Sequence, residues 1–534
     1  MGIGRSGGQG RLDDAALVLG ERLAAGTLCR LLADEGHVLF ADDYFADLFK
    51  ATRRGRPTIA ARVIATVMLL QSHEGLSDRE AIDRLAFDLR WSAAAGLTVA
   101  PETFHPTVLV GVRNRLRASA RPRRLFEDVN VVARNAGLLR GRVRVLDSTP
   151  LLDAVATQDT VTQLRAAVRG LLLVLDRDGA WALAGRVRAA LRRDDDYATV
   201  GKPACDWDDR AAREALVDAL VVDALAALAV IDGEQLGARG VQAAELLALV
   251  AGQDVEPDEQ GRFQVVRKVA RDRVLSTVDT QARHGHKSRA RTFDGYKTHL
   301  SLDPDCELIT AVAVTPANTP DRDAIDALLA GETPGHSYDT AKDTAEDTAL
   351  TVMGDSAYAD GATLQRLGAA GITVMAKVPP ARDGTGRFAK DRFEVDLQAG
   401  TVTCPAAHTV AIVPVKAGGG RAGFGKLCAS CPLQLQCTTA RAGLVVMVHP
   451  QEQALQTARA AQQTPSWQAA YRATRPGVER KISHFVRRPW GGRKARCRGQ
   501  ERILTDVLTR GAALNLARLS LQGLRFGATG WVTA

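Results

Sequence analysis

Apolar residues recur every three to four positions through most of the first 140 residues, the period of helices buried along one face. The pattern is clearest in Ile59-Ala-Ala-Arg-Val-Ile-Ala-Thr-Val-Met-Leu-Leu and in Arg79-Glu-Ala-Ile-Asp-Arg-Leu-Ala-Phe. Ser77 followed by Glu80 marks a capping box at the start of that second helix, because each side chain can satisfy a free backbone N–H of the first turn. At Arg142 the pattern changes to a short strand, Val143-Arg-Val-Leu-Asp, ending at Asp147. Ala/Leu-rich helical periodicity returns from about Thr160 to Ala251. Tyr296 to Asp303, a turn at Pro304-Asp305, and Leu308 to Thr315 predict a β-hairpin. A helix over 321–329, a strand over 351–355, a helix over 363–370 and a strand over 372–378 follow. The Asp-Thr-Ala triplets of 339–349 predict a loop. From Pro379 to Pro450, Gly-rich turns separate short β-like runs, and helices over 466–488 and 502–519 come last.

Setting aside 160–275 and 380–455 as inserts leaves the order strand, hairpin, helix, strand, helix, strand, helix. This predicts an α/β fold with a ribonuclease H-like core. The expected units are a helical DNA-binding or dimerisation domain over 1–140, core segments over 141–159, 276–379 and 456–534, a helical insert over 160–275, and a Cys-containing insert over 380–455. A chain of 534 residues is too long for one ordinary core, which agrees with several units.

Charge sharpens the picture. The net charge of +9 fits a polyanionic partner. Its distribution says more: between Tyr471 and Arg502 there are 11 Lys/Arg against two Glu. No apolar run is long enough to span a membrane, since Ala215 to Val230 is interrupted by Asp218 and Asp223. The N-terminus lacks a signal-peptide core, so the expected location is cytoplasmic, associated with the nucleoid. Eight Cys in that compartment point to metal binding or burial rather than disulfides.

Three acids carry the candidate chemistry. Asp147 and Asp355 each end an apolar run that reads as a strand, and Glu479 lies on a basic helix. Open α/β sheets place ligands at the carboxyl ends of their strands. Three carboxylates, one of them bridging, suffice for two Mg²⁺ or Mn²⁺ ions acting on a phosphodiester. Either Asp alone is equally a turn cap, and Glu479 equally an ion-pair partner of neighbouring arginines. Arg475, Arg487 and Arg488 suit phosphate contacts because a guanidinium grips phosphate oxygens bidentately. Lys481, Arg493 and Lys494 join them on the same stretch. Lys287 sits in the basic loop around His284 and His286, and Lys297 alternates with His299 on a strand whose facing side stays open. Cys404, Cys428, Cys431 and Cys437 fall in one turn-rich segment, and Cys428-Ala-Ser-Cys431 has zinc-knuckle spacing. A structural Zn²⁺ and buried free thiols are the two readings.

Taken in order, these features resemble the DDE transposases of bacterial insertion sequences, in particular an insertion-sequence family 1182-like group. Phe49-Lys-Ala-Thr-Arg-Arg-Gly-Arg-Pro, Leu76-Ser-Asp-Arg-Glu and Arg113-Asn-Arg-Leu are similar to their N-terminal helical region. Asp279-Thr-Gln-Ala-Arg-His-Gly-His-Lys and Phe293-Asp-Gly-Tyr-Lys-Thr-His resemble the lead into their second strand. Asp147, Asp355 and Glu479 match the catalytic acids, with Arg475 one turn before the glutamate. Arg493-Lys-Ala-Arg-Cys-Arg-Gly and Asn515-Leu-Ala-Arg-Leu match the C-terminal pattern. Two positions depart from it. Tyr471 stands one residue further from Arg475 than the tyrosine these enzymes often carry, and Val486 occupies their lysine position, with Arg487 next. The resemblance implies metal-dependent nicking of double-stranded DNA at terminal inverted repeats, attack by the released 3′-hydroxyl, and a homodimer on DNA. A nuclease without strand transfer and an inactive DNA-binding relative are the alternatives.

Overall fold

A computed structural model describes residues 12–49, 58–266, 270–288, 290–332, 349–380, 386–487 and 492–534. The Arg53-Arg-Gly-Arg run, Arg289, Arg488 and the Asp-Thr-Ala triplets up to 348 lie outside the described residues.

The site is built on one mixed sheet of six strands: β1 (Val143–Leu152), β2 (Arg283–Ser288), β3 (Arg291–Leu302), β4 (Ile309–Pro316), β5 (Thr351–Gly354) and β6 (Thr373–Ala376). From one side to the other the order is β4-β3-β1-β5-β6, with β2 paired to the first part of β3. β3 runs antiparallel to β1 and to β4. β5 and β6 run parallel to β1. The hairpin predicted over 296–315 is β3-β4.

β1 departs from its predicted end. It does not stop at Asp147 but runs five residues further, to Leu152. The two neighbours explain this. β3 pairs with β1 from Val145 opposite Leu302 to Leu152 opposite Gly295. β5 pairs only from Val143 to Val145. Asp147 therefore sits mid-strand, just past the point where the β5 side of β1 falls free. A strand ends where its last partner ends, which the local apolar run does not reveal.

Successive residues of β1 face opposite layers. Leu146 and Val352 pack on Ile325, Leu328 and Leu329 of the turn-helix over 321–329 and on Leu364 and Leu367 of the Gly361–Ala369 helix. Val145, Tyr296, Leu300 and Val312 face the opposite layer. There they share one core with Ile503, Val507 and Leu516 of the Gln500–Leu521 helix and with Ile64, Met68 and Leu125 of the N-terminal helices. The first 140 residues thus share their core with the sheet. Asn515 seals that junction. Its amide accepts from Ile309 N–H at 2.9 Å, and donates to Ile309 C=O at 2.8 Å and to Asn130 at 2.9 Å. The capping box forms as predicted, with Ser77 and Glu80 satisfying each other's backbone N–H groups at the head of Asp78–Phe87.

Helices Thr160–Arg177, Trp181–Ala190, Arg210–Ile231 and Ala238–Gln253 form a separate apolar core around Leu164, Leu171, Leu220 and Leu247. Asp223, which interrupts the apolar run, is fully buried there. It accepts from Tyr197 O–H at 2.7 Å and Arg192 N–H at 2.6 Å, so its cost of burial is offset by hydrogen bonds. The Cys-rich segment folds as two three-stranded sheets around Phe393, Val402, Phe424 and Val446. No described helix is long and apolar enough to cross a membrane.

Candidate active site

Asp147 and Asp355 arrive on adjacent parallel strands. Asp147 Oδ1 accepts from the Ser148 backbone N–H at 2.8 Å. Asp355 directly follows β5 and caps the Ser356–Tyr358 turn, accepting from Ala357 N–H at 2.9 Å. Asp355 thus takes the turn-cap role that the sequence allowed, on the strand next to the one that bears Asp147. Burial pushes the Asp147 carboxyl above its usual range; Arg475 and the Ser148 N–H pull it back, and the nearby Asp355 pushes it up again.

The Pro465–Val486 helix crosses this point, packed against β1 and β5. Arg475 donates from Nη2 to Asp147 Oδ2 at 2.9 Å and from Nη1 to the Leu146 carbonyl at 3.3 Å. One turn earlier, Tyr471 donates its hydroxyl to the Gly354 carbonyl at 3.0 Å, next to Asp355. Trp467 stacks on Tyr471 at 4.8 Å, and the Lys377 ammonium lies 5.2 Å from the Tyr471 ring centre. Tyr471 and Arg475 thus clamp the helix across the two aspartate-bearing strands. Arg475 is most of the way buried, with its guanidinium on Asp147 rather than turned to solvent.

Glu479 is exposed, one turn beyond Arg475, and Pro476-Gly477 lies between them. A proline inside a helix frees the carbonyl four residues back and weakens the helix at that point. Among the described residues no three His, Cys, Asp or Glu side chains converge closely enough to hold a metal ion. Asp147 and Asp355 offer the hard oxygen ligands that Mg²⁺ prefers, and Asp147 already faces a positive group. Glu479 is the acid this arrangement leaves outside.

The opposite side of β1 holds a polar group that the sequence pattern did not single out. Asp321 Oδ2 accepts from the Ser148 hydroxyl at 2.6 Å, and Oδ1 from Lys297 Nζ at 2.7 Å. Lys297 also donates to the Thr319 carbonyl at 2.9 Å. His299 is fully buried in the same layer, with Nε2 2.8 Å from the Thr315 hydroxyl. The facing side of the Lys297–His299 pair is therefore the interior, and Lys297 is tied to Asp321 instead of lying open to DNA. The only signal for Asp321 was its place at the predicted start of the 321–329 helix.

The basic residues divide. Lys481 is buried, and burial pushes its ammonium below the usual range while Glu307 opposes that shift, so it is withdrawn from any phosphate-facing set. Its position two residues past Glu479 turns it to the core side of the helix, beside Val478 and Ile482. Arg487, Arg493, Lys494 and Lys287 are exposed. Arg493 and Ala495 hydrogen-bond Leu152 at the far end of β1, the Leu152 N–H donating to Arg493 C=O at 2.6 Å and Ala495 N–H to Leu152 C=O at 2.8 Å. The basic C-terminal segment is thereby stitched to the strand that carries Asp147.

Residues 403–520 match the family described as transposase DDE domain, and residues 19–115 match the one described as transposase domain (DUF772). Both matches are to transposase families, one near each end of the chain, and they support a DDE transposase of the insertion-sequence type. No curated protein and no solved structure matches it. The DDE-domain match begins at the Cys-rich segment and includes the helix with Arg475 and Glu479.

Cys404, Cys428, Cys431 and Cys437 line one small cavity of about 10 Å³, with His408 on its wall. That is close to the space of a single small sphere. The Cys428 sulfur accepts from Leu444 N–H at 3.5 Å, and tight turns close at Cys428–Cys431 and Cys404–Ala407. Burial pushes the Cys437 thiol up, and the other three cysteines add to the effect. The four sulfurs share this cavity wall without converging closely enough to hold a metal ion. All eight cysteines are free, and Cys29, Cys205, Cys306 and Cys497 lie apart from the cluster.

Proposed function

We propose that this transposase, an insertion-sequence family 1182-like enzyme on a ribonuclease H-like core, cuts element ends and joins them to target DNA. Asp147, Asp355 and Glu479 are its acidic triad. The observation that carries the reading is the meeting of Asp147 and Asp355 on adjacent parallel strands under a helix that bears Arg475 and Glu479. A central strand with an antiparallel hairpin on one side and two parallel strands on the other supports the ribonuclease H-like assignment.

Asp147, Asp355 and Glu479 would hold two Mg²⁺ or Mn²⁺ ions, which would supply a nucleophile at neutral pH and relieve charge on the phosphorus. The chain's own residues set the geometry. Ser148 and Arg475 hold the two oxygens of Asp147 in a fixed direction. Tyr471 keeps the helix seated on the end of β5. Bending at Pro476-Gly477 brings Glu479 toward the aspartates as DNA closes the site and draws Arg475 onto a phosphate. Arg487, Arg488, Arg493, Lys494 and Lys287 track the backbone, which positions DNA without reading its sequence. Two copies pair the terminal inverted repeats as a homodimer, and the protein resides with the nucleoid. Cys404, Cys428, Cys431 and Cys437 would be the ligands of one structural Zn²⁺, drawn together on binding it, and the ion would fix the segment leading into the catalytic helix.

The test uses purified protein and duplexes carrying the inverted repeats that flank its gene. Mg²⁺ or Mn²⁺ gives nicking at the repeat end and joining of precut 3′-ends, and Asp147→Asn, Asp355→Asn and Glu479→Gln each abolish both. Cleavage that survives Asp147→Asn overturns the reading. Cutting without joining makes the chain a nuclease of this fold, and binding without cutting an inactive relative.

A further inference from the structure

Among the described residues the outer edge of β1 has no strand partner between Val145 and Leu152, and Asp147 and Ser148 lie in that stretch. There the backbone around Asp147 is laddered on its β3 side alone. The structure supplies a substitute. Asp321 reaches Ser148 from the Asp321–Ala324 turn, which packs against the Ser356–Tyr358 turn that Asp355 caps. One polar chain therefore runs from Lys297 Nζ to Asp321, from Asp321 to the Ser148 hydroxyl, and from the Ser148 backbone N–H to Asp147 Oδ1, with steps of 2.7, 2.6 and 2.8 Å. Tyr358 is the back wall. It is 1% exposed, and its ring lies so close to Gly354 that an added Cβ there would meet it at 2.7 Å. Both aspartate segments are thus braced by the same two turns.

We propose that Asp321, held between Lys297 and Ser148, is a positioning residue that fixes the direction of Asp147 for metal binding. The inference rests on the function proposed above. Stability alone is a weak reason for the brace. Lys297 and Asp321 are only 15% and 12% exposed, and a buried ion pair is often no better for stability than a well-packed apolar pair. What the charged pair gives is direction, because both oxygens of Asp321 are committed and the Ser148 hydroxyl has one acceptor to meet. Residues that orient a metal ligand through hydrogen bonds typically change metal affinity about 10- to 100-fold when lost.

The experiment titrates full-length protein with Mn²⁺, read by thermal midpoint and by nicking of a duplex with the flanking repeats. Ser148→Ala removes only a hydroxyl, and Ser148→Thr retains it. The expected result is a half-saturating Mn²⁺ concentration about tenfold higher for Ser148→Ala and for Asp321→Asn in both readouts. Ser148→Thr recovers the wild-type value, and the Ser148→Ala midpoint in chelator stays that of wild type. Unchanged half-saturation in Ser148→Ala overturns the inference. A lowered midpoint in chelator with unchanged half-saturation also overturns it, since that marks a merely structural brace. If wild type and Asp147→Asn alike show neither a Mn²⁺ response nor nicking, the proposed function falls and the inference with it. A wild type that responds while Asp147→Asn does not separates the two failures.

Discussion

His299 gives a pH prediction with a defined size. The ring is fully buried on β3, opposite Ser148 in the register with β1. Burial pushes its pKa from 6.5 down to about 4; Asp321 pulls it up and Lys297 pushes it further down. A histidine whose folded pKa lies below its unfolded value resists protonation in the native state. Its contribution is therefore present above about pH 6.5 and is lost as pH falls from there toward 4. At about 1.4 kcal/mol per pKa unit the full effect is about 3.5 kcal/mol, of which about 2.5 kcal/mol is gone by pH 4.5. His299→Gln removes the titrating group and keeps a donor for Thr315. Urea unfolding of both proteins at pH 7.5, 5.5 and 4.5 isolates the term, because other titrating groups are common to the pair. The stability difference, wild type minus variant, should fall by about 2.5 kcal/mol between pH 7.5 and 4.5. A constant difference across that range would refute the reasoning: the ring would then be hydrated or already charged in the folded protein.

Three further outcomes can be checked. Asp279 is buried and accepts from the Tyr296 hydroxyl at 2.6 Å, Gly499 N–H at 3.0 Å and Gln281 N–H at 3.2 Å, so Asp279→Ala leaves three donors without their acceptor and should cost about 3 kcal/mol in urea unfolding. Lys481→Met should leave the salt dependence of DNA binding unchanged, whereas Lys494→Ala should reduce the slope of log affinity against log salt by about one; equal slopes in the two variants count against the assignment. Metal analysis should find one Zn²⁺ per chain, lost in Cys431→Ser together with thermal stability, and a zinc-free wild type that unfolds at the same temperature would remove the metal from the Cys cluster.

Much of the secondary structure was legible because it is written locally. The Ser77 capping box, the 296–315 hairpin and the helix that bears Glu479 each depend on residues close together in sequence. The spacing that sets Glu479 one helical turn after Arg475 is local in the same way. The missed features share a different cause. The length of β1 was set by β3, 150 residues later, and so Asp147 moved from a strand end to mid-strand. Lys481 and Glu479 lie two positions apart on one helix, and only packing against the sheet decided which was buried. Asp321 had no periodicity to mark it, since it opens a short turn and acts through partners 24 and 173 residues away.

By itself the sequence determined the alternation of helix and strand, the basic C-terminal stretch, the clustered cysteines and the acids worth testing. Hydrophobic period, capping and charge density are properties of neighbouring residues, and they survive without knowledge of the chain's path. Tertiary structure decided which acids meet, that Arg475 rather than Glu479 sits on Asp147, and that Lys297 serves Asp321. Those outcomes depend on strand register and helix rotation, which are set by burying apolar faces drawn from distant parts of the chain.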